Sequence, residues 1–156
     1  MKTTFLATAL ALTGSVFALP QAQGDGPGTH YPYSIGELSL THHVNEDNWS
    51  MVFTLTHRSP AGQTVDAATC YTAWVNGTTP AGTASPEECS HDGWSFFFPT
   101  GAPNVERYRL AADGPGGQAV TVVQSGDKYA CEDVEGEENI DVRCKSINGG
   151  LFWLGY

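Results

Sequence analysis

The chain has 156 residues, 17 of them acidic against 7 basic, and a formal charge of −10 at pH 7. That balance excludes nucleic acid, whose binding depends on clustered Lys and Arg, and an anionic membrane surface; a neutral or cationic partner is electrostatically easier. The length suits one domain rather than two, with a core large enough to form without a metal.

In chain order, Met1 to Thr4 make a short, singly basic start, followed by an apolar run from Phe5 to Phe17. The run is too short to span a bilayer and is apolar all round, unlike an amphipathic core helix. Val16 and Ala18 supply the small residues that signal peptidase accepts, so residues 1–18 are expected to be a secretory signal peptide cut after Ala18. Loss of Lys2 with it leaves 6 basic and 17 acidic residues among the remaining 138, a charge of −11. Residues 19–32, rich in Gly, Pro and Gln, read as a flexible leader, and 33–156 as a single domain.

From Tyr33 onward the pattern has period two. Leu38, Leu40, His42 and Val44 share one face; Glu37, Ser39, Thr41 and His43 share the other. Trp49, Met51, Phe53 and Leu55 then alternate with Ser50, Thr54 and Thr56, Val52 being the exception. Further strands are predicted over 69–75, 94–98, 105–111, 119–124, 140–144 and 151–155. They are separated by turn formers such as Asn76-Gly77, Asp92-Gly93 and Ser125-Gly126-Asp127. No segment has a helical period over eleven or more residues. Eight short strands predict a closed barrel or a sandwich.

Two sequons, Asn48-Trp49-Ser50 and Asn76-Gly77-Thr78, suit an exported chain; by strand parity Asn48 is expected to point outward with Ser50. The four cysteines, Cys70, Cys89, Cys131 and Cys144, imply two disulfides. The spacings of 19, 42 and 13 contain no CxxC pair of the kind a zinc site uses. Counting leaves three connectivities open.

The candidates for chemistry are few. His42 and His43 are adjacent and must face opposite ways on a strand, whereas His42 and His57 share the apolar parity of neighbouring strands and could meet. With a carboxylate they would supply three metal ligands, although a core histidine needs no metal and none is assigned. A glycosidase needs two carboxylates across a cleft, one with raised pKa. Of Glu37, Glu46, Asp47 and Glu106, only Glu106 shares parity with buried neighbours, Tyr108 and Leu110, and is expected to point inward, towards an Arg.

The acidic run Glu132, Asp133, Glu135, Glu137, Glu138 and Asp141 lacks the ligand pattern of an EF-hand and reads as a solvated loop. No GxSxG elbow and no P-loop occurs, and oxidised cysteines leave no thiolate nucleophile. A ribonuclease with its Arg clamp on phosphate is opposed by the charge. No catalytic residue and no cofactor is therefore assigned. Trp49, Trp74, Trp94 and Trp153 and the run Phe96-Phe97-Phe98 serve either as core or as exposed platforms for carbohydrate; Phe97 breaks the alternation, so either it faces out or its strand is covered on both sides.

Tyr33-Ser34-Ile35-Gly36-Glu37, Phe53-Thr54-Leu55, Thr69-Cys70, Cys89-Ser90-His91-Asp92-Gly93-Trp94-Ser95-Phe96, Tyr129-Ala130-Cys131 and Val142-Arg143-Cys144 resemble, in order and spacing, the Alternaria major-allergen-like family of small secreted fungal proteins. The resemblance runs from Tyr33 to the C-terminus. It implies a compact antiparallel β-barrel, or barrel-like sandwich, with bridges Cys70–Cys89 and Cys131–Cys144. It also implies an extracellular effector, elicitor or allergen-like protein with no catalytic centre, acting on a host extracellular or cell-wall component. The extra N-terminal cysteine that links two subunits of the allergen is missing, which points to a monomer or a weak non-covalent dimer. The alternatives are a small secreted carbohydrate-active hydrolase and a structural cell-wall protein.

Overall fold

The computed structural model describes residues 31–156 except 79, 81, 83, 84 and 102. The expected signal peptide and residues 19–30 of the expected leader lie outside the described residues. The last two leader residues belong to the folded body: Pro32 is buried and its carbonyl accepts from Arg58 N at 2.8 Å, and the Tyr31 ring lies 6.1 Å from that of Trp153.

Ten strands follow in order: β1 Tyr33–His43, β2 Asn48–Arg58, β3 Thr64–Val75, β4 Glu87–Glu88, β5 Ser95–Phe97, β6 Arg107–Asp113, β7 Ala119–Gln124, β8 Tyr129–Asp133, β9 Ile140–Ser146 and β10 Phe152–Leu154. All pairings are antiparallel. One sheet runs β3-β2-β1-β9-β8, with β10 also on β1; the other runs β4-β5-β6-β7. The turns Asn76-Gly77 and Asp92-Gly93 take positive φ at the glycine, 77° and 75°, a region that Gly enters without steric cost.

The two sheets do not close into a barrel. At one corner β3 meets the β4 end through the one ladder pair Cys70↔Cys89, flanked by hydrogen bonds from Ser90 N to the Thr69 carbonyl at 2.8 Å and from Thr69 N to Ser90 Oγ at 2.9 Å; at the other, β7 meets the β10 end through Val120↔Gly155, whose amides and carbonyls bond reciprocally at 2.9 and 3.1 Å. The result is a sandwich stitched at two corners. The barrel form of the expectation therefore gives way to the sandwich form, because each corner holds a single bridge instead of a continuous ladder.

Alternation decides what enters the core. Met51, Phe53 and Leu55 of β2, Ala68, Cys70, Thr72 and Trp74 of β3, and Tyr108, Leu110 and Ala112 of β6 point between the sheets. Aromatic rings fill the middle edge-on: Phe53 to Phe96 at 4.9 Å, Phe98 to Tyr108 at 5.9 Å, Tyr108 to Tyr129 at 6.2 Å and Tyr129 to Phe152 at 6.4 Å. Such edge-to-face pairs add to the gain from burying the rings. Phe97 is buried with Phe96 and Phe98, so β5 is covered on both faces.

Strand β1 does not keep one parity. Tyr33 and Ile35 point inward at odd positions, Leu38 and Leu40 at even ones, and the register shifts between Gly36 and Ser39. Glu37 there takes φ 51° and turns out to solvent, where its carboxylate accepts from Thr54 Oγ1 at 2.8 Å. One extra residue in the strand has switched its apolar face.

The disulfides are Cys70–Cys89 and Cys131–Cys144, with no free cysteine. Strands β4 and β8 were not expected. Glu87-Glu88 falls in none of the predicted strands and the acid-rich stretch Glu132-Asp133 reads as loop; pairing to Ser95–Phe96 and to β9 makes them strands. Strand β3 starts five residues before its predicted boundary because β2 extends it, down to the pair Arg58↔Thr64.

Candidate binding groove

At the end of the sandwich that holds the β1–β2 turn lies an open groove of about 430 Å3. Its walls come from three places. Trp49 opens β2, Val105 and Glu106 precede β6, and Cys131, Glu132, Asp133 and Val142 come from β8 and β9. The sheet register explains the convergence: His42 of β1 pairs with Trp49 on one side and Val142 on the other, and Val142 pairs with Asp133. Cross-strand partners share a face, so Trp49, Val142 and Asp133 stand in one row directed towards the opposite sheet. Val105 is fixed from below, since its carbonyl accepts from Tyr129 Oη at 3.0 Å.

Behind Trp49 sits a polar clasp. The His42 ring lies 4.6 Å from the Trp49 ring, with Nδ1 2.7 Å from Asp141 Oδ1 and Nε2 3.4 Å from Asp47 Oδ1. Asp141 reaches His42 because it is the extra residue where the register shifts between His42↔Val142 and His43↔Ile140. A bulge of this kind re-aims one side chain. Trp49 Nε1 donates to Asn76 Oδ1 at 3.3 Å, and Asn76 Nδ2 donates to Asp47 Oδ1 at 3.2 Å. The Trp49 wall is thus held at both its face and its edge.

His42 has two carboxylates and no hydroxyl; His43, on the other face, has the Ser50 hydroxyl at 2.9 Å and, among the described residues, no carboxylate. The components of a nucleophilic triad are therefore divided between two faces. Glu132, which borders the groove but turns its side chain to the outer face, has its pKa lowered, chiefly by the hydrogen bond from Lys145 Nζ at 2.8 Å and the ammonium charge behind it. A general acid needs displacement in the other direction.

The remaining sequence candidates fall as follows. His57 pairs with Tyr33 and His42 with Trp49, at opposite ends of the β1–β2 ladder, so the two histidines do not meet. Shared parity puts side chains on one face but does not bring them together along it. No three of His, Cys, Asp or Glu converge on a metal position among the described residues. Glu106 was expected inward against an Arg; it is exposed, precedes the start of β6, and has no basic partner among the described residues. Glu46 lies exposed in the β1–β2 turn and accepts from Asn139 Nδ2 at 3.0 Å.

Half of the acidic run is paired internally. Glu137 takes both Arg143 nitrogens at 3.2 and 2.9 Å, while Glu132 pairs with Lys145 and Asp141 with His42. Asn48 pairs with His43 and Val75 on the outward face of the ladder and is half-buried there; Asn76 is exposed, beside the groove. Trp74 and Trp94 are core, whereas Trp153 is 40% exposed with the Arg58 guanidinium 5.3 Å over its ring.

Sequence reasoning missed Asp133 as a groove residue because β8 was read as loop, and with it the place of Val142 opposite; the short apolar run Tyr129-Ala130-Cys131 was the signal for that strand. No family model matches the chain, and no significant match is found among curated proteins or solved structures.

Proposed function

We propose that this is a secreted, non-catalytic binding protein that acts by surface contact at a host or cell-wall interface, in the effector- or allergen-like manner that its resemblance implies. One observation carries the reading: an unbroken line of aromatic rings from Phe53 to Phe152 occupies the space between the sheets. With its interior filled, the molecule meets partners on the outside, and the Trp49 groove offers an aromatic wall beside the Glu106 and Asp133 carboxylates. Aromatic surface together with uncompensated negative charge suits a neutral or cationic partner. Two disulfides fit the oxidising compartment in which such a partner would be met.

The test is capture of cell-wall polysaccharides and basic extracellular proteins by the purified chain, compared with Trp49→Ala and with Glu106→Gln/Asp133→Asn. Binding that weakens with salt and falls at least tenfold in both variants is expected. Equal binding by all three proteins would remove the groove from the account.

A hydrolase is the second reading, favoured by the presence of several carboxylates along one open groove. Release of reducing sugar from a polysaccharide panel, lost in Glu106→Gln, would establish it in place of the first.

A further inference from the structure

The basic residues are the scarce ones in this chain, and four of the six described ones have partners. Arg143 and Lys145 pair with Glu137 and Glu132, Arg58 donates to Ser34 Oγ and lies over Trp153, and Lys128 donates to the Leu151 carbonyl. Arg107 and Arg109 have no hydrogen bond or ion pair from their side chains among the described residues. They sit two positions apart on the outward face of β6, opposite Gln124 and Val122 of β7. Their Cα atoms are therefore about 6.7 Å apart, by the rise of an antiparallel strand.

Placing two guanidinium groups side by side is electrostatically unfavourable, and a chain with 17 acidic residues could have neutralised them. Instead they flank an open groove of about 290 Å3, completed by Thr100, Tyr108 and Val122. Val122 is 46% exposed and provides an apolar wall; Thr100 provides a hydroxyl that can both donate and accept. An oxyanion relieves the repulsion between the two arginines, and their planar forks match a carboxylate or phosphate. The volume is that of a small ligand, at the lower end for such sites.

We propose that this groove is a subsite for a sugar oxyanion, a sugar acid or sugar phosphate. The charged group lies between Arg107 and Arg109, the ring packs on Val122, and a ring hydroxyl meets Thr100. The site is independent of the Trp49 groove, which is acidic where this one is basic.

Calorimetric titration of the purified full domain with galacturonate, glucose 6-phosphate, galactose and inorganic phosphate tests the proposal. Saturable binding of galacturonate or glucose 6-phosphate, weakened by salt and at least tenfold tighter than galactose, is expected. Preference for the first marks the carboxylate as the natural head group, and preference for the second marks the phosphate. Arg107→Ala/Arg109→Ala should reduce that binding at least tenfold with unchanged thermal unfolding, both side chains being solvent-facing. Should that variant alter unfolding, Arg107→Lys/Arg109→Lys, which keeps the charge and loses the forks, should still weaken binding several-fold. Binding retained in the arginine variants, no saturable binding by either sugar anion, or inorganic phosphate bound as tightly as both would each overturn it.

Discussion

The two disulfides are alike chemically and differ in what they hold. Cys131–Cys144 joins directly opposed residues inside the β8–β9 ladder, where pairs from Tyr129↔Ser146 to Asp133↔Val142 already align the strands. Cys70–Cys89 joins β3 to the end of β4, where it coincides with the one ladder pair at that corner between the two sheets. Their sequence separations, 13 and 19 residues, differ too little to matter: in the chain-entropy model the longer loop adds about 0.3 kcal/mol. Any larger difference between their removals reports native-state architecture. A crosslink reinforces most where hydrogen bonding is thinnest.

The largest effect is therefore expected from Cys70→Ala/Cys89→Ala, a loss of about 3 to 5 kcal/mol in denaturant unfolding. Hydrogen exchange should accelerate around β4 and β5, and the buried Trp94 should become solvated. Cys131→Ala/Cys144→Ala should cost about 2 to 3 kcal/mol, with faster exchange confined to β8. Equal losses with identical exchange patterns would break the comparison.

A smaller effect sharpens it, since β8 is also tied to the second sheet by Tyr129. Tyr129→Phe leaves the Val105 carbonyl without its donor and should cost about 1 kcal/mol. The same phenol and that of Tyr108 have their pKa values raised by burial. A raised folded pKa means that the contribution to stability is complete below the ordinary phenol value near 10 and is lost as pH rises towards the folded value. Absorbance titration should accordingly leave Tyr108 and Tyr129 protonated above the ordinary phenol value, until the fold opens in alkali. Their titration near pH 10 in the folded protein would contradict the packing.

The smallest effect belongs to the ion pair on the outer face of the same ladder. The Glu132 pKa is lowered, first by the Lys145 hydrogen bond, so its contribution is present above the ordinary Glu range and lost as pH falls through the lowered value. Both partners are half exposed, and Glu132→Gln should leave the unfolding midpoint nearly unchanged at physiological salt. A clear drop would show that β8 depends on its outer face as well as on its bridge.

Much of the fold was legible because strands facing a core on one side alternate. Strand β7 came out as predicted, Ala119–Gln124, and β2 nearly so. What escaped was set by partners instead of local pattern. Glu87-Glu88 is a strand because Ser95 and Phe96 offer it a ladder, and Asp133 lines the groove because Val142 lies opposite. The error over His42 and His57 has the same origin, since period two states a face and says nothing of distance along it. Glu106 was misjudged by extending the parity of β6 past its first residue, Arg107.

The chain by itself determined an all-β, acidic, disulfide-bonded domain, because alternation, charge and cysteine number are properties of composition and order. Tertiary structure decided the rest: a sandwich stitched at two corners, the bulges at Glu37 and Asp141, and the gathering of Trp49, Glu106 and Asp133 about one groove. The physical reason is that register is a relation between strands, and a single extra residue in one of them redirects every side chain that follows.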